Sequence, residues 1–354
     1  MLRDIEWVFG TKGMHMRSML QITGLLLFGF SLAVSAQQYR VSGRIPLEGE
    51  GGWDYLAVDS VNGHLYVSHG TEVAVVDLAS QKPMTKITGM KRIHGIAVAN
   101  DLNRGFISDG GDDVVVIFDL KSHSVLQKVA TGKNPDGILY DPYSKRVFAF
   151  NGRGNDVTAI DAASGKVAGT VALDGKPEFP VSDRKGNIYV NIEDKSEIVQ
   201  LDPQALKTKK TWSLSPCQEP SGLAIDEETR RLFSVCSNKK MAIVNADSGQ
   251  VVATVPIGDG PDAAAYDPGN KLAFSSNGEG TLTVVRQGSP DKYAVLANVP
   301  TERSARTMAL DTKTHKIYLS AAQLGPAPEA TADNPHPRPK IAPGSFHVLV
   351  VSPD

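Results

Sequence analysis

Seven positions carry the residue types that could do chemistry, and they recur at a near-constant interval. Asp54, His94, Asp136, Glu178, Ser221, Asp262 and Arg306 follow one another, by subtraction, at steps of 40 to 44 residues. Carboxylates brought to one place must take up protons or recruit a counter-ion, so Asp54, Asp136, Glu178 and Asp262, with His94 as a nitrogen donor, form a candidate cation site. Ligation by oxygen points to Ca²⁺ or Mg²⁺, and direct use of His94 shifts the balance to Zn²⁺ or Mn²⁺. Arg306 is the single guanidinium of the set, and its planar fork suits a carboxylate or phosphate on a ligand. The competing reading makes all seven turn residues that satisfy local backbone amides, with Arg306 paired to a neighbouring acid.

What must position them is a repeat. Five residues after each member stands Asp59, Ala99, Asp141, Asp183, Asp226, Asp267 or Asp311, each preceded by a short run such as Leu56-Ala57-Val58 or Leu223-Ala224-Ile225. In the third copy Arg146 to Phe150, Val157 to Ile160 and Lys166 to Leu173 alternate as strands, separated by Asn151-Gly152-Arg153-Gly154 and by a turn from Asp161 to Gly165. No segment sustains a helical period. A unit of about 40 residues with four short strands is a propeller blade, so the chain is expected to be an all-β, seven-bladed β-propeller over residues 37–354.

The seventh copy supplies Met308 to Leu310, Lys316 to Ser320 and Phe346 to Val351, then stops at Asp354 without a fourth strand. Arg40 to Gly49 resembles the fourth strands of other copies and is expected to complete the last blade, removing an open edge. Pseudo-symmetry then places the seven chemical residues on loops entering the innermost strands, around the mouth of the central channel. His69, Asp109, Asn151 with Arg153, Asn191 with Glu193, and Asn277 follow the second strands and are expected to form a solvated polar rim on the same face, Arg153 being counted among the ligand contacts. Residues 322–345 form an insertion in the last blade whose Pro and Ala content favours extended polyproline conformation over regular structure, and which could lie over the channel mouth.

The segment Asn155-Asp156-Val157-Thr158-Ala159-Ile160-Asp161-Ala162-Ala163-Ser164-Gly165-Lys166-Val167 resembles the repeat core of YVTN-type, YncE-like propellers. Gly132-Lys133-Asn134-Pro135-Asp136-Gly137-Ile138 is similar to the link that the family places between blades. The resemblance implies an extracytoplasmic propeller and no particular reaction.

Composition narrows the partners. With 37 basic against 39 acidic side chains there is no surplus of positive charge to neutralise phosphates, so no nucleic-acid partner is indicated. At the N-terminus Arg17, the apolar run Leu20 to Val34 and the small residues Val34-Ser35-Ala36 stand in the order of a signal peptide, with cleavage expected after Ala36 and translation starting at Met1, Met14 or Met16. Periplasmic or secreted protein with no membrane span after cleavage follows, and a monomer is expected. Cys217 and Cys236 have no metal-type spacing and read either as a disulfide or as two buried thiols. The signatures of covalent haem, zinc proteases, P-loops and nucleophile elbows are absent from the sequence. Two functions remain: a module binding a small molecule, glycan or protein at the channel mouth, or a metal-assisted hydrolase of lactonase type using the carboxylate ring.

Overall fold

The computed structural model describes residues 38–354 except position 50, position 327 and residues 330–338. The expected signal peptide lies outside the described residues.

The described residues form seven antiparallel sheets of four strands each. Their first strands, Trp53–Asp59, Ile93–Ala99, Pro135–Asp141, Pro177–Ser182, Pro220–Asp226, Pro261–Asp267 and Met308–Asp311, touch one another in sequence, and the seventh touches the first. The sheets therefore form a closed ring of blades with these strands innermost. Closure is made by Tyr39–Pro46, which pairs antiparallel with His347–Pro353 as the outermost strand of blade 7. Ile45 and Leu47 then bury against Leu65 and Val67 of blade 1, so the N-terminal strand also seals the seam between the last and first blades.

Every second strand carries an aromatic ring at one register: Tyr66, Phe106, Phe148, Tyr189, Phe233, Phe274 and Tyr318 pair with Ala57, Ala97, Leu139, Val181, Ala224, Ala265 and Ala309 of the innermost strands. All seven are buried. A large ring on a pleated strand fills the wedge that opens between blades as they radiate from the axis.

The recurring aspartates hold blade to blade. Asp141 accepts from Ser182 Oγ of blade 4 at 2.6 Å, Asp183 pairs with Arg230 of blade 5 at 3.2 Å, and Asp226 accepts from Gln287 of blade 6 at 3.0 Å. Asp267 meets His315 of blade 7 at 2.7 Å, and Asp311 accepts from Ser60 of blade 1 at 2.7 Å. Blade 2 has Ala99 at this position, and there Asp101 takes over by accepting from Tyr140 and Lys145 of blade 3.

Most of the expected solvated rim is buried, although Arg153 is exposed and Glu193 half-buried. His69, Asp109, Asn151, Asn191 and Asn277 are all buried. Asp109 accepts the backbone N–H groups of Lys91, Arg92 and Gly111, and Asn277 donates to Thr281 and Thr283. Asp109 thus bonds the loops that cover it, Asn277 the third strand of its own blade and Asn191 the innermost strand of the next, so protein partners replace hydration. In the insertion, Leu324 and Ile341 form an isolated antiparallel bridge at its base, and Gly325 N–H and Ala342 N–H donate to Lys340 and Gln323 carbonyls, while residues 330–338, on which much of the polyproline expectation rests, lie outside the described residues.

Candidate functional site

The ladder between first and second strands shifts register at the same place in six blades, between Trp53 and Leu56, Ile93 and Ile96, Pro135 and Ile138, Pro177 and Pro180, Pro220 and Leu223, and Pro261 and Ala263. Asp54, His94, Asp136, Glu178, Ser221 and Asp262 sit inside these bulges. They belong to the innermost strands and not, as expected, to the loops before them; Arg306 alone precedes its strand. A bulge adds one residue and re-aims its side chain, here toward the axis.

The glycines that follow serve close approach. A Cβ on Gly137 would lie 2.6 Å from the Glu178 carbonyl oxygen, and one on Gly222 would lie 2.5 Å from Ala264 N. Only a residue without a side chain lets neighbouring innermost strands come this near at the axis. Neighbouring blades also pin the backbone of the site. Ser108 Oγ donates to the Asp136 carbonyl at 2.6 Å, Asn191 Nδ2 to that of Ser221 at 2.9 Å, and Thr307 Oγ1 to that of Asp54 at 2.8 Å.

All seven sequence-selected residues line one cavity of about 600 Å³. Arg153 does not: it is exposed in its turn. Glu193, expected on the rim, also lines it, and sequence reasoning missed several other lining groups, namely Lys91, Arg92, Lys176 and Tyr55. None of them shares the register of the seven, which is why the repeat did not reveal them.

Charge in the cavity is closer to balance than four acids against one arginine. Lys176 Nζ lies 2.7 Å from Glu178 and also bonds Glu193, while Arg306 is paired with Asp262. These partners occupy two of the four carboxylates proposed as cation ligands. The third group stays together: His94 Nδ1 is 2.6 Å from Asp54 and 3.5 Å from Asp136, and donor atoms of the three lie within 4.8 Å of one another. His94 Nε2 is buried without a partner.

Burial governs the titration of the ring. It pushes Asp136 up to about 6, with the Asp54 charge adding to it and His94 opposing. Burial and then Asp136 push Glu178 up to about 8, against Lys176, and burial pushes Asp262 up to about 6, against Arg306. For His94 burial works against the charge, yet the bond to Asp54 and the Asp136 and Asp54 charges hold it above the usual imidazole range. The floor is apolar. Tyr55 is buried and meets Phe179 edge to face, with ring centroids 5.0 Å apart. Burial, with the four ring carboxylates around it, keeps the Tyr55 phenol protonated far above its ordinary range.

Two features flank the site. Leu324, Pro339 and Ile341 at the base of the arm share a groove with Trp53, Arg303 and Arg306, placing the insertion beside the mouth. Cys217, in the loop before the innermost strand of blade 5, and Cys236, the last residue of its second strand, form a disulfide with Cα atoms 5.7 Å apart.

No family model matches the chain. It is 24% identical over 239 residues to the uncharacterized protein YncE of Salmonella typhi, covering 58% of this chain and 67% of that protein, and equally to YncE of Salmonella typhimurium strain LT2. That similarity agrees with the YncE-like wording of the repeats. Among solved structures the chain is similar to Kuenenia stuttgartiensis hydrazine synthase, at TM-score 0.67 and 16% identity over 77% of this chain and 94% of that one. It also superposes on a chain of a mitotic checkpoint complex, at TM-score 0.71 and 12% identity over 92% and 99%, and on U3-55K, at TM-score 0.73 and 10% identity over 88% and 98%. Identities this low show the propeller fold alone, a fold commonly used as a binding or scaffold module.

Proposed function

We propose that this propeller is an extracytoplasmic binding module that takes a small polar molecule, bearing both a cationic and an anionic group, at the channel mouth. One observation carries the reading. Seven residues from seven blades converge on one cavity whose lining alternates acids with Lys91, Arg92, Lys176 and Arg306 over an aromatic floor. Such a site offers pre-placed partners for both charges of a ligand. Placement outside the cytoplasm is supported by the Cys217–Cys236 disulfide and by the order of the N-terminal residues. Intact-mass measurement of protein from the producing cell is expected to start at Gln37.

The binding test is calorimetric titration with zwitterionic and singly charged small molecules, on the parent and on Asp136→Asn and Arg306→Gln. Saturable binding weakened by both substitutions supports the reading. A panel without saturable binding, or with affinities the substitutions leave alone, overturns it.

One observation favours a second reading. Asp54, His94 and Asp136 provide two carboxylates and one imidazole within 4.8 Å, a donor set suited to Zn²⁺ or Mn²⁺ more than to Ca²⁺. An ion there would displace the proton now shared between His94 and Asp54 and would polarise a carbonyl and activate water, as the hydrolase reading requires. Metal analysis of protein purified without chelator, followed by a lactone and ester panel, decides between the two.

A further inference from the structure

Far from the channel mouth, three polar atoms on three touching rings have no protein partner. Tyr66 is fully buried and its hydroxyl is unbonded, as are the shielded Nδ1 of His64 and Nε2 of His123. The His64 and His123 ring centroids are 5.2 Å apart, and the Tyr66 centroid lies 6.2 Å from His64 and 6.1 Å from His123. His64 stands two residues before Tyr66 on the second strand of blade 1 and so projects from the same face. His123 comes from the turn after the third strand of blade 2, fixed there by its N–H bond to the Asp119 carbonyl at 2.9 Å.

The repeat itself provides the comparison. Tyr189 occupies the same register in blade 4, and its hydroxyl bonds the Ala246 carbonyl at 3.1 Å and receives Arg230 at 3.1 Å. In blade 1 no carbonyl or guanidinium takes that role, and two imidazoles stand beside the phenol. A buried hydroxyl left unbonded is costly, and three such atoms together mark a place built for a group from outside the chain.

We propose that His64 and His123 bind a divalent transition-metal ion between blades 1 and 2, with the Tyr66 hydroxyl bonded to a water on that ion. Imidazole nitrogen suits Zn²⁺, Cu²⁺ and Ni²⁺, and two ligands leave positions for water. His64 Nδ1 and His123 Nε2, both shielded and without a protein partner, are available to ligate. The Tyr66 hydroxyl, buried and unbonded beside both rings, is placed to bond such a water.

The test is calorimetric titration of chelator-stripped full chain with Zn²⁺ and Cu²⁺, in an Asp136→Asn background so that the channel mouth does not contribute. One ion per chain is expected. His64→Gln and His123→Gln should each weaken it by at least about a hundredfold, and Tyr66→Phe by about tenfold, the loss usual for a group that orients a metal ligand. Because the ion joins two blades, it should raise the thermal midpoint of the starting protein and of neither histidine variant. Absence of saturable binding, or an affinity that both histidine substitutions leave unchanged, overturns the site; an affinity unchanged in Tyr66→Phe overturns the role given to the hydroxyl.

Discussion

Tyr55 of blade 1 and Phe179 of blade 4 come from opposite sides of the ring and meet edge to face across the central channel, with their centroids 5.0 Å apart. Phe179→Ala removes half of this contact. Because Phe179 is only half-buried, the cost should fall near about 2–3 kcal/mol, at or below the low end for a buried aromatic. Chemical denaturation measures it, and a change under about 0.5 kcal/mol, the range of ordinary surface substitutions, would deny the contact any part in stability.

Asp54 holds the charge on His94. With Asp54→Asn the bond that raises the imidazole loses its anionic partner while burial remains, so the His94 titration should move down toward or below the usual range. Proton NMR titration of the histidines reports this directly. An unmoved His94 would show that Asp136 alone sustains it.

The ring carboxylates give stability an unusual slope with pH. Asp136 and Asp262 rise from 3.8 to about 6 on folding, and Glu178 from 4.5 to about 8. The folded state holds these protons more tightly than the unfolded state, so the stability they contribute is present below the unfolded values and is lost as pH rises through the folded ones. Glu178→Gln cannot ionise. Its thermal midpoint relative to the parent should therefore climb between pH 5 and pH 9, a trend flat or opposite in sign being incompatible with the buried glutamate described above.

The blade-to-blade aspartates act in the other direction. Asp183, Asp226 and Asp311 are buried, yet their hydrogen bonds hold them below 3.8, so what they contribute is present above that value and is lost as pH falls through their folded values. Asp141→Ala is the direct test of one such latch. It leaves Ser182 Oγ and the Ser144 N–H without their acceptor, which should cost about 1–3 kcal/mol by urea denaturation.

Cys217→Ser with Cys236→Ser opens a loop spanning a sequence separation of 19. On the chain-entropy account a loop of this size is worth about 3 kcal/mol, which the double variant should lose. Equal thermal midpoints for the parent with and without reductant would count against the bond's contribution.

The sequence alone determined the blade count, the strand order within a blade, the closing strand and the seven positions that ring the axis. Each of these follows from periodicity: a hydrophobic strand pattern repeated at a fixed step admits one way of stacking, and residues at equal phase must arrive at equal places. The phase also carried the aspartates at Asp59, Asp141 and Asp311, although not the partners across the blade seams. What tertiary structure decided is what breaks the repeat. Lys176 and Tyr55 enter the cavity from unequal phases, Lys176 and Arg306 neutralise Glu178 and Asp262, and a set of four carboxylates becomes a triad of Asp54, His94 and Asp136. Asn151 and Asn277 looked like solvated hairpin residues because local sequence does not record which loop folds over a strand end. Pairing and burial are properties of distances between segments far apart in the chain, and a repeat specifies where equivalent residues stand without specifying what stands opposite them.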